Sequence, residues 1–220
     1  QKGACILKML RAYLGDDAFF DGLSHYLHTY EYEPVEYHQL RLALEEVSGK
    51  DLKWFFDQWF RSLGHPDLTI NTKYDTSGNA VEMIVRQRQN PDKFPTFKLP
   101  VKVDIYQSDD VTRKSIWVDE REDTFRFAAQ TPPEVVNFDA EKVLLAEKSF
   151  DKTPAEWLYQ YRNAPLYLDR YEAVAAISNN SDSLSLAKRK SVISEFINDD
   201  HWRIRNLALE MVEDFEAKSR

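Results

Sequence analysis

The sequence predicts an α+β chain built in three successive regions: helices, then short strands, then helices again. Three observations carry this reading. Apolar residues recur at helical spacing through residues 1–66, alternate with polar ones through 67–150, and return to helical spacing from Pro154 onward. Strands that follow one another with no helix between them predict an antiparallel β-sandwich. A 35-residue internal repeat in the last region predicts the start of a HEAT-like helical array, incomplete within 151–220.

The first helix places Ile6, Leu7, Leu10, Tyr13 and Leu14 on one face, and Gly15 stops it. Asp16 or Asp17 is expected to cap a second helix carrying Phe19, Phe20, Leu23, Tyr26, Leu27 and Tyr30. Pro34 breaks the pattern, and a third helix then presents Leu40, Leu42, Ala43 and Val47 before Ser48-Gly49. Asp51 is expected to cap a fourth helix, Leu52 to Leu63, ended by Gly64 with Pro66 just beyond. Trp54, Phe55, Phe56, Trp59 and Phe60 make that helix apolar around much of its circumference, so it needs cover on more than one side.

From Asp67 the period is two. Leu68, Ile70, Thr72 and Tyr74 alternate with polar residues, Asp75–Asn79 turns, and Val81, Met83 and Val85 return. The clearest alternation is Phe97, Leu99, Val101, Val103 and Ile105; Pro100 on the opposite face favours an edge or the start of pairing. Ser108-Asp109-Asp110 turns into Val111–Val118, Phe125 and Phe127 mark a short strand, and Val135–Phe138 and Val143–Ala146 complete about seven. In the last region, Tyr167, Arg170, Ala173, Val174 and Ile177 recur as Trp202, Arg205, Ala208, Leu209 and Val212. A helix from Leu184 to Ile197 lies between them, after Ser178–Ser183. Asp200-x-Trp202-x-x-Arg205-x-x-Ala208 resembles a HEAT-type repeat.

The ends add an expectation. The chain opens Gln1-Lys2-Gly3 and enters its helical pattern with no capping residue, and Trp202, Leu209, Val212 and Phe215 keep helical register almost to Arg220. This predicts a segment cut from a longer protein. With 29 Lys+Arg against 37 Asp+Glu the net charge is −8, which disfavours nucleic acid as a partner because a phosphate backbone is bound by a basic face. The longest apolar run, Ala173 to Ile177, is too short to span a membrane, and no charged-then-apolar leader is visible.

Chemistry is sparse. His25 and His28 stand at i, i+3 with no Glu between them, whereas a zinc-peptidase helix uses His-Glu-x-x-His at i, i+4. His38 and His201 carry no motif, and His65 before Pro66 reads as a turn residue. Cys5, the single cysteine, lies on an apolar helix and reads as core packing. Glu45-Glu46 diverge on a helix, and Asp119–Asp123 lacks calcium-loop spacing, so both read as solvated faces or turns. No phosphate loop, Cys-x-x-Cys or Gly-x-Ser-x-Gly occurs. No catalytic or metal-binding residue is assigned.

One family fits the order of regions. Gln1–Leu10, Leu14-Gly15-Asp16-Asp17-Ala18-Phe19, and Ser48-Gly49-Lys50-Asp51-Leu52 leading to Trp54–Phe60 and Gly64-His65-Pro66 resemble the aminopeptidase N family of zinc metallopeptidases. The resemblance implies that residues 1–66 are the helical C-terminal half of a thermolysin-like catalytic domain, 67–150 its β-sandwich and 151–220 its HEAT-like domain. It implies a parent enzyme that removes N-terminal residues from peptides, with zinc as cofactor and peptides as substrates. The family's tyrosine stands in Tyr-x-Lys-Gly, so Lys2 and Gly3 match its end and the tyrosine, the His-Glu-x-x-His helix and the amine-binding motif would precede Gln1. The segment would buttress and cap the site, with the upstream catalytic domain as partner, and would by itself be inactive and bind no zinc. Two other readings stay open: a non-catalytic scaffold of this fold acting in protein assembly, and an independent sandwich-and-repeat binding module.

Overall fold

The computed structural model describes residues 2–108, 110–180 and 184–219, with side chains as far as Val212. Phe215, Gln1 and Arg220, the Asp109 part of the first β-turn expected after Ser108, and residues 181–183 lie outside the described residues or side chains. The chain is mixed α+β. Helices α1 (Lys2–Leu14), α2 (Asp16–Thr29) and α3 (Tyr37–Ser48) come first, then α4 (Lys53–Phe56), which widens into a π-helical turn over Asp57–Arg61. Seven strands follow among the described residues: β1 (Asp67–Asp75), β2 (Ala80–Gln87), β3 (Leu99–Gln107), β4 (Asp110–Val118), β5 (Glu122–Ala128), β6 (Val135–Phe138) and β7 (Glu147–Phe150). The last four helices are α5 (Pro154–Asn163), α6 (Tyr167–Asn179), α7 (Leu186–Ile197) and α8 (Trp202–Ser219).

The strands form two sheets, ordered β5-β2-β1-β7 and β4-β3-β6. Every pairing but one is antiparallel. β7 runs parallel to β1, with Asp67 opposite Glu147 and Ile70 opposite Phe150, so the expected all-antiparallel arrangement fails there. The cause is local: Val143–Ala146, expected as the last strand, is irregular chain, and the strand is the following Glu147–Phe150. Pro100 sits at the start of β3, opposite Trp117 of β4, whereas β6 pairs only with Val103–Tyr106, so the missing N–H breaks no ladder on that side.

Helix ends differ from expectation in detail. Gly15, with φ at +88°, is both the stop of α1 and the N-cap of α2, and Asp16 and Asp17 fill the first turn. Leu52 caps α4, although the Asp51 carboxylate accepts the Lys53 N–H at 2.8 Å. The expected helix to Leu63 stops at Arg61, and Gly64 turns at φ +84° with the Phe94 ring against its α-carbon.

One apolar core joins the first helices to both sheets: Ile6, Leu10, Phe19, Leu44, Phe56 and Trp59 meet Leu68, Met83, Val103 and Phe138. In α3 it is Leu44 that is buried, while Leu42 and Val47 are exposed. A second core lies within α5–α8, built on Trp157, Ala173, Val174, Phe196, Ile204 and Ala208. The repeat correspondence holds at Ala173 and Ala208, both fully buried, but not throughout. Trp202 and Leu209 are exposed, and Ile204 and Met211 take the inward positions on α8.

Candidate functional site

The residues singled out for chemistry are held apart. His25 Nε2 lies 3.1 Å from a Glu46 carboxylate oxygen, while His28 Nδ1 lies 2.8 Å from the Ser24 carbonyl oxygen one turn back. His38 faces Glu36, His65 faces Glu147 at 2.8 Å, and His201 stacks on Tyr167 with ring centres 3.7 Å apart. Cys5 is half-buried and is not part of either core, contrary to the core role expected of it. Glu45 binds Arg41 with one oxygen and the Leu52 N–H with the other. In the acidic run, Asp123 accepts the N–H groups of Asp119 and Glu120, which makes it a turn.

Polar groups do converge elsewhere, at the seam between the sheets and the last helices. The chain leaves β6 at Phe138 and takes left-handed backbone at Asp139 (φ 55°) and Lys142 (φ 49°). Asp139 stabilises that bend by accepting the N–H groups of Val143 (3.1 Å) and Leu144 (3.3 Å). The bend turns the Lys142 side chain inward. Its ammonium donates to Asn137 Oδ1 (2.9 Å) and Glu172 Oε2 (2.8 Å), and lies 3.2 Å from Asp169 Oδ1. Asp169 and Asn137 are fully buried, and Asn137 Nδ2 donates to Asp169 at 2.8 Å. Lys148, from β7, donates to Asp139 at 2.8 Å and approaches Glu172 at 3.6 Å.

Lys152 completes the group differently. Its ammonium donates to the neutral Gln160 amide oxygen at 2.6 Å and lies over the Phe150 and Trp157 rings, 4.8 and 4.5 Å from their centres. Among the described residues it makes no ion pair. Gln160 is fully buried and passes its own N–H donors to the Asp169 carbonyl (3.1 Å) and Glu172 (3.2 Å).

The electrostatics follow from those partners. Burial pulls hardest on Lys148, downward, but Asp139 and Glu172 together hold it above its ordinary value. Burial pushes Glu172 up, and Lys142 and Lys148 outweigh it, so this carboxyl titrates below its usual range. Burial dominates at Lys152 and lowers it to about 7. The amines border a cavity of about 680 Å³, whose wall is completed by Phe150, Trp157, Leu168 and Tyr171.

A second junction is aromatic. Tyr13 of α1, Trp54 of α4 and Trp117 of β4 meet edge to face, with ring centres 5.5–5.8 Å apart, and the Lys98 ammonium lies 5.0 Å from the Trp117 ring centre. Such pairs add roughly 0.5–1.5 kcal/mol each beyond area burial. A smaller cavity of about 240 Å³ opens beside them, floored by Met9, Phe55 and Trp59.

The ionic cluster was not legible from motifs. Two signals for it exist in the sequence: Gln160 falls among Trp157, Leu158 and Tyr161, and Asp169 falls one turn before Ala173, so both are polar residues on core-facing helix positions. The three lysines carry no such mark.

Known proteins resemble this chain in part. Residues 1–59 match the model of the peptidase family M1 domain. Aminopeptidase N of Lactococcus lactis is 36% identical over 88 residues, covering 40% of this chain and 10% of that protein. Mouse aminopeptidase N is 34% identical over 79 residues, and the tricorn protease-interacting factor F2 of Thermoplasma acidophilum 38% over 69, covering 32% and 31% of this chain and 8% and 9% of those proteins. The chain thus spans about a tenth of the length of the curated relatives it matches. In fold, Legionella pneumophila aminopeptidase A, solved with aspartic acid, aligns with a TM-score of 0.76 at 18% identity, over 94% of this chain and 25% of that one.

Proposed function

We propose, from the premise that this chain belongs through its first 59 residues to the aminopeptidase N family of gluzincin peptidases, that it is part of a zinc-dependent aminopeptidase that removes N-terminal residues from peptides. The observation that carries the proposal is the family match over residues 1–59, continued by a fold that follows the aminopeptidase A structure over 94% of the chain. In this reading 1–66 is the helical part of the peptidase domain, 67–150 a β-sandwich and 151–220 the opening of a HEAT-like array. The described residues bring together no group of three His, Cys, Asp or Glu side chains able to hold a metal. In this reading the zinc is held by residues of the parent protein outside those described.

The role of this chain is then support. Exposed apolar side chains on the first helices and their connections, among them Phe20, Leu27, Val35, Leu42 and Leu63, supply a surface for the remainder of the peptidase domain. The aromatic junction ties α1 and α4 to β4, and the ionic cluster ties the sheets to α5 and α6, which would carry the array to a position capping the cleft. The test is hydrolysis of an aminoacyl-nitroanilide by the intact protein. Release of nitroaniline that stops on chelation and returns with zinc is expected. An intact protein that folds, binds no zinc and leaves the substrate uncleaved overturns the enzyme reading in favour of a scaffold.

A further inference from the structure

We propose that Lys152 is an amine-nucleophile site that condenses with small, uncharged carbonyl compounds entering the 680 Å³ cavity beside it. Four observations of geometry point there. First, the ammonium of Lys152 meets a neutral amide, Gln160, and two aromatic rings, with no carboxylate within ion-pair distance among the described residues, whereas Lys142 and Lys148 each have carboxylate partners. The rings and the amide oxygen attract the ammonium, but with no counter-charge in reach burial outweighs them and favours the free amine, whose lone pair is the nucleophile. Second, Lys152 is half-buried and not sealed: it borders the cavity, with Phe150 and Trp157 as an apolar wall for the body of a carbonyl compound.

Third, the groups facing Lys152 come from every element around it: Gln160 and Glu156 of α5, Asp169 and Glu172 of α6, Lys142 from the bend after β6, and Lys148 of β7. Glu156 is engaged by Thr153 in the N-terminal cap of α5. With Lys152 neutral, Lys142 and Lys148 are left against Asp139, Asp169 and Glu172, so the cluster carries one surplus negative charge. Fourth, that surplus repels an anionic carbonyl compound from the amine, which selects neutral ones. The amine attacks the carbonyl carbon, proton transfer gives a neutral carbinolamine, and this takes one proton from solvent and loses one water to leave a protonated imine on Nζ. The carbon–nitrogen double bond replaces the carbon–oxygen double bond, and the water leaves to solvent.

The test uses the intact protein, benzaldehyde and cyanoborohydride, which fixes the imine as a benzylamine, with peptide mapping of each labelled lysine. An ordinary lysine near 10.4 is only about 0.04% free amine at pH 7. Lys152, lowered to about 7, is about half free. Allowing for the weaker nucleophilicity and narrower access of a buried amine, labelling at least ~10-fold faster than at exposed Lys114 is expected at pH 7. Both rates should fall together below pH 7, and the excess should close only above about pH 10, where an ordinary lysine is also largely free amine. Gln160→Glu, which sets a carboxylate against the amine and keeps Lys152 in place, should lower the Lys152 rate at pH 7 at least ~10-fold, and Lys152→Arg should remove the adduct. Lys152 labelling no faster than Lys114 between pH 6 and 9 in the wild-type protein overturns the proposal, whatever the variants do.

Discussion

Replacing Lys142 by methionine isolates what the buried ionic cluster contributes. Methionine keeps the length and the apolar stem but removes the ammonium, which now serves Asn137, Asp169, Glu172 and the Phe138 carbonyl at 2.8–3.4 Å. The loss falls on two carboxylates unequally. Glu172 keeps Lys148 at 3.6 Å and the Gln160 amide. Asp169, fully buried, keeps only neutral donors, the Asn137 amide and the Leu166 N–H, and so becomes a buried charge without a counter-charge. Removing one member of a buried ion pair costs roughly 3–5 kcal/mol. For a chain of this size each kcal/mol moves the melting temperature by roughly 2–4 °C. Lys142→Met should therefore melt roughly 6–20 °C below wild type in a calorimetric scan at pH 7. Adding Asp169→Asn removes the stranded charge, so the double variant should recover about 1–3 kcal/mol relative to the sum of the single effects. A Lys142→Met protein melting within about 2 °C of wild type, or a double variant whose loss equals the sum, would refute the assignment of this lysine as the counter-charge of Asp169.

Two further outcomes are expected. Burial is the largest influence on Asp199 and pushes its carboxyl up, but the His201 N–H at 2.7 Å, Arg170 and the Tyr161 hydroxyl outweigh it and hold the group below its usual value. A lowered carboxyl contributes fully above its unfolded value and fades as pH falls through the folded one, so Asp199→Asn should cost about 1–3 kcal/mol at pH 7. Urea titrations should show that gap narrowing from about pH 5 to 2; a constant gap contradicts the linkage. Gly22→Ala gains about 1 kcal/mol of helix propensity, but its new methyl would stand 2.6 Å from Leu44 Cδ2 and 3.2 Å from the Leu44 α-carbon. Backbone cannot give way as a side-chain tip can, so a net loss of about 1–2 kcal/mol is expected, and an alanine variant that melts at or above wild type would show that α2 and α3 can separate freely.

What could be read in the sequence was what repeats. Periods of 3.6 and 2 place seven helical stretches and most strands, because an amphipathic element must turn one side to a core; α5 carries no stretch of its own in that reading. The misreadings share a cause. Val143–Ala146 is apolar enough for a strand, yet it is held irregular by Asp139 and by contact with α1, where the Leu145 N–H faces the Met9 sulfur. Leu42, Val47, Trp202 and Leu209 were placed inward by periodicity but lie outward, because a period fixes a stripe only to within about one position on the helix. The ionic cluster is assembled from α5, α6, β7 and an irregular bend, so no spacing in the sequence announces it. Only Gln160 and Asp169, polar where their helices face inward, leave a trace.

The same irregular segment explains how three regions act as one body. Residues 139–148 receive the Lys8 ammonium of α1 on the Lys142 carbonyl at 2.9 Å, send Lys142 into the cluster held by α6, and end in β7, which pairs with β1. First helices, sheet and last helices therefore share a single hub. The two junctions around it differ in kind. The aromatic contacts of Tyr13, Trp54 and Trp117 are partly exposed and tolerate sliding, since edge-to-face pairs keep their energy over a range of offsets. The ionic cluster does not tolerate sliding, because a shift of about 1 Å strands charge in a low-dielectric interior. The position of α5 and α6 relative to the sheets is fixed by charge together with the packing of Tyr159 and Ala164 on Tyr106 and Val135.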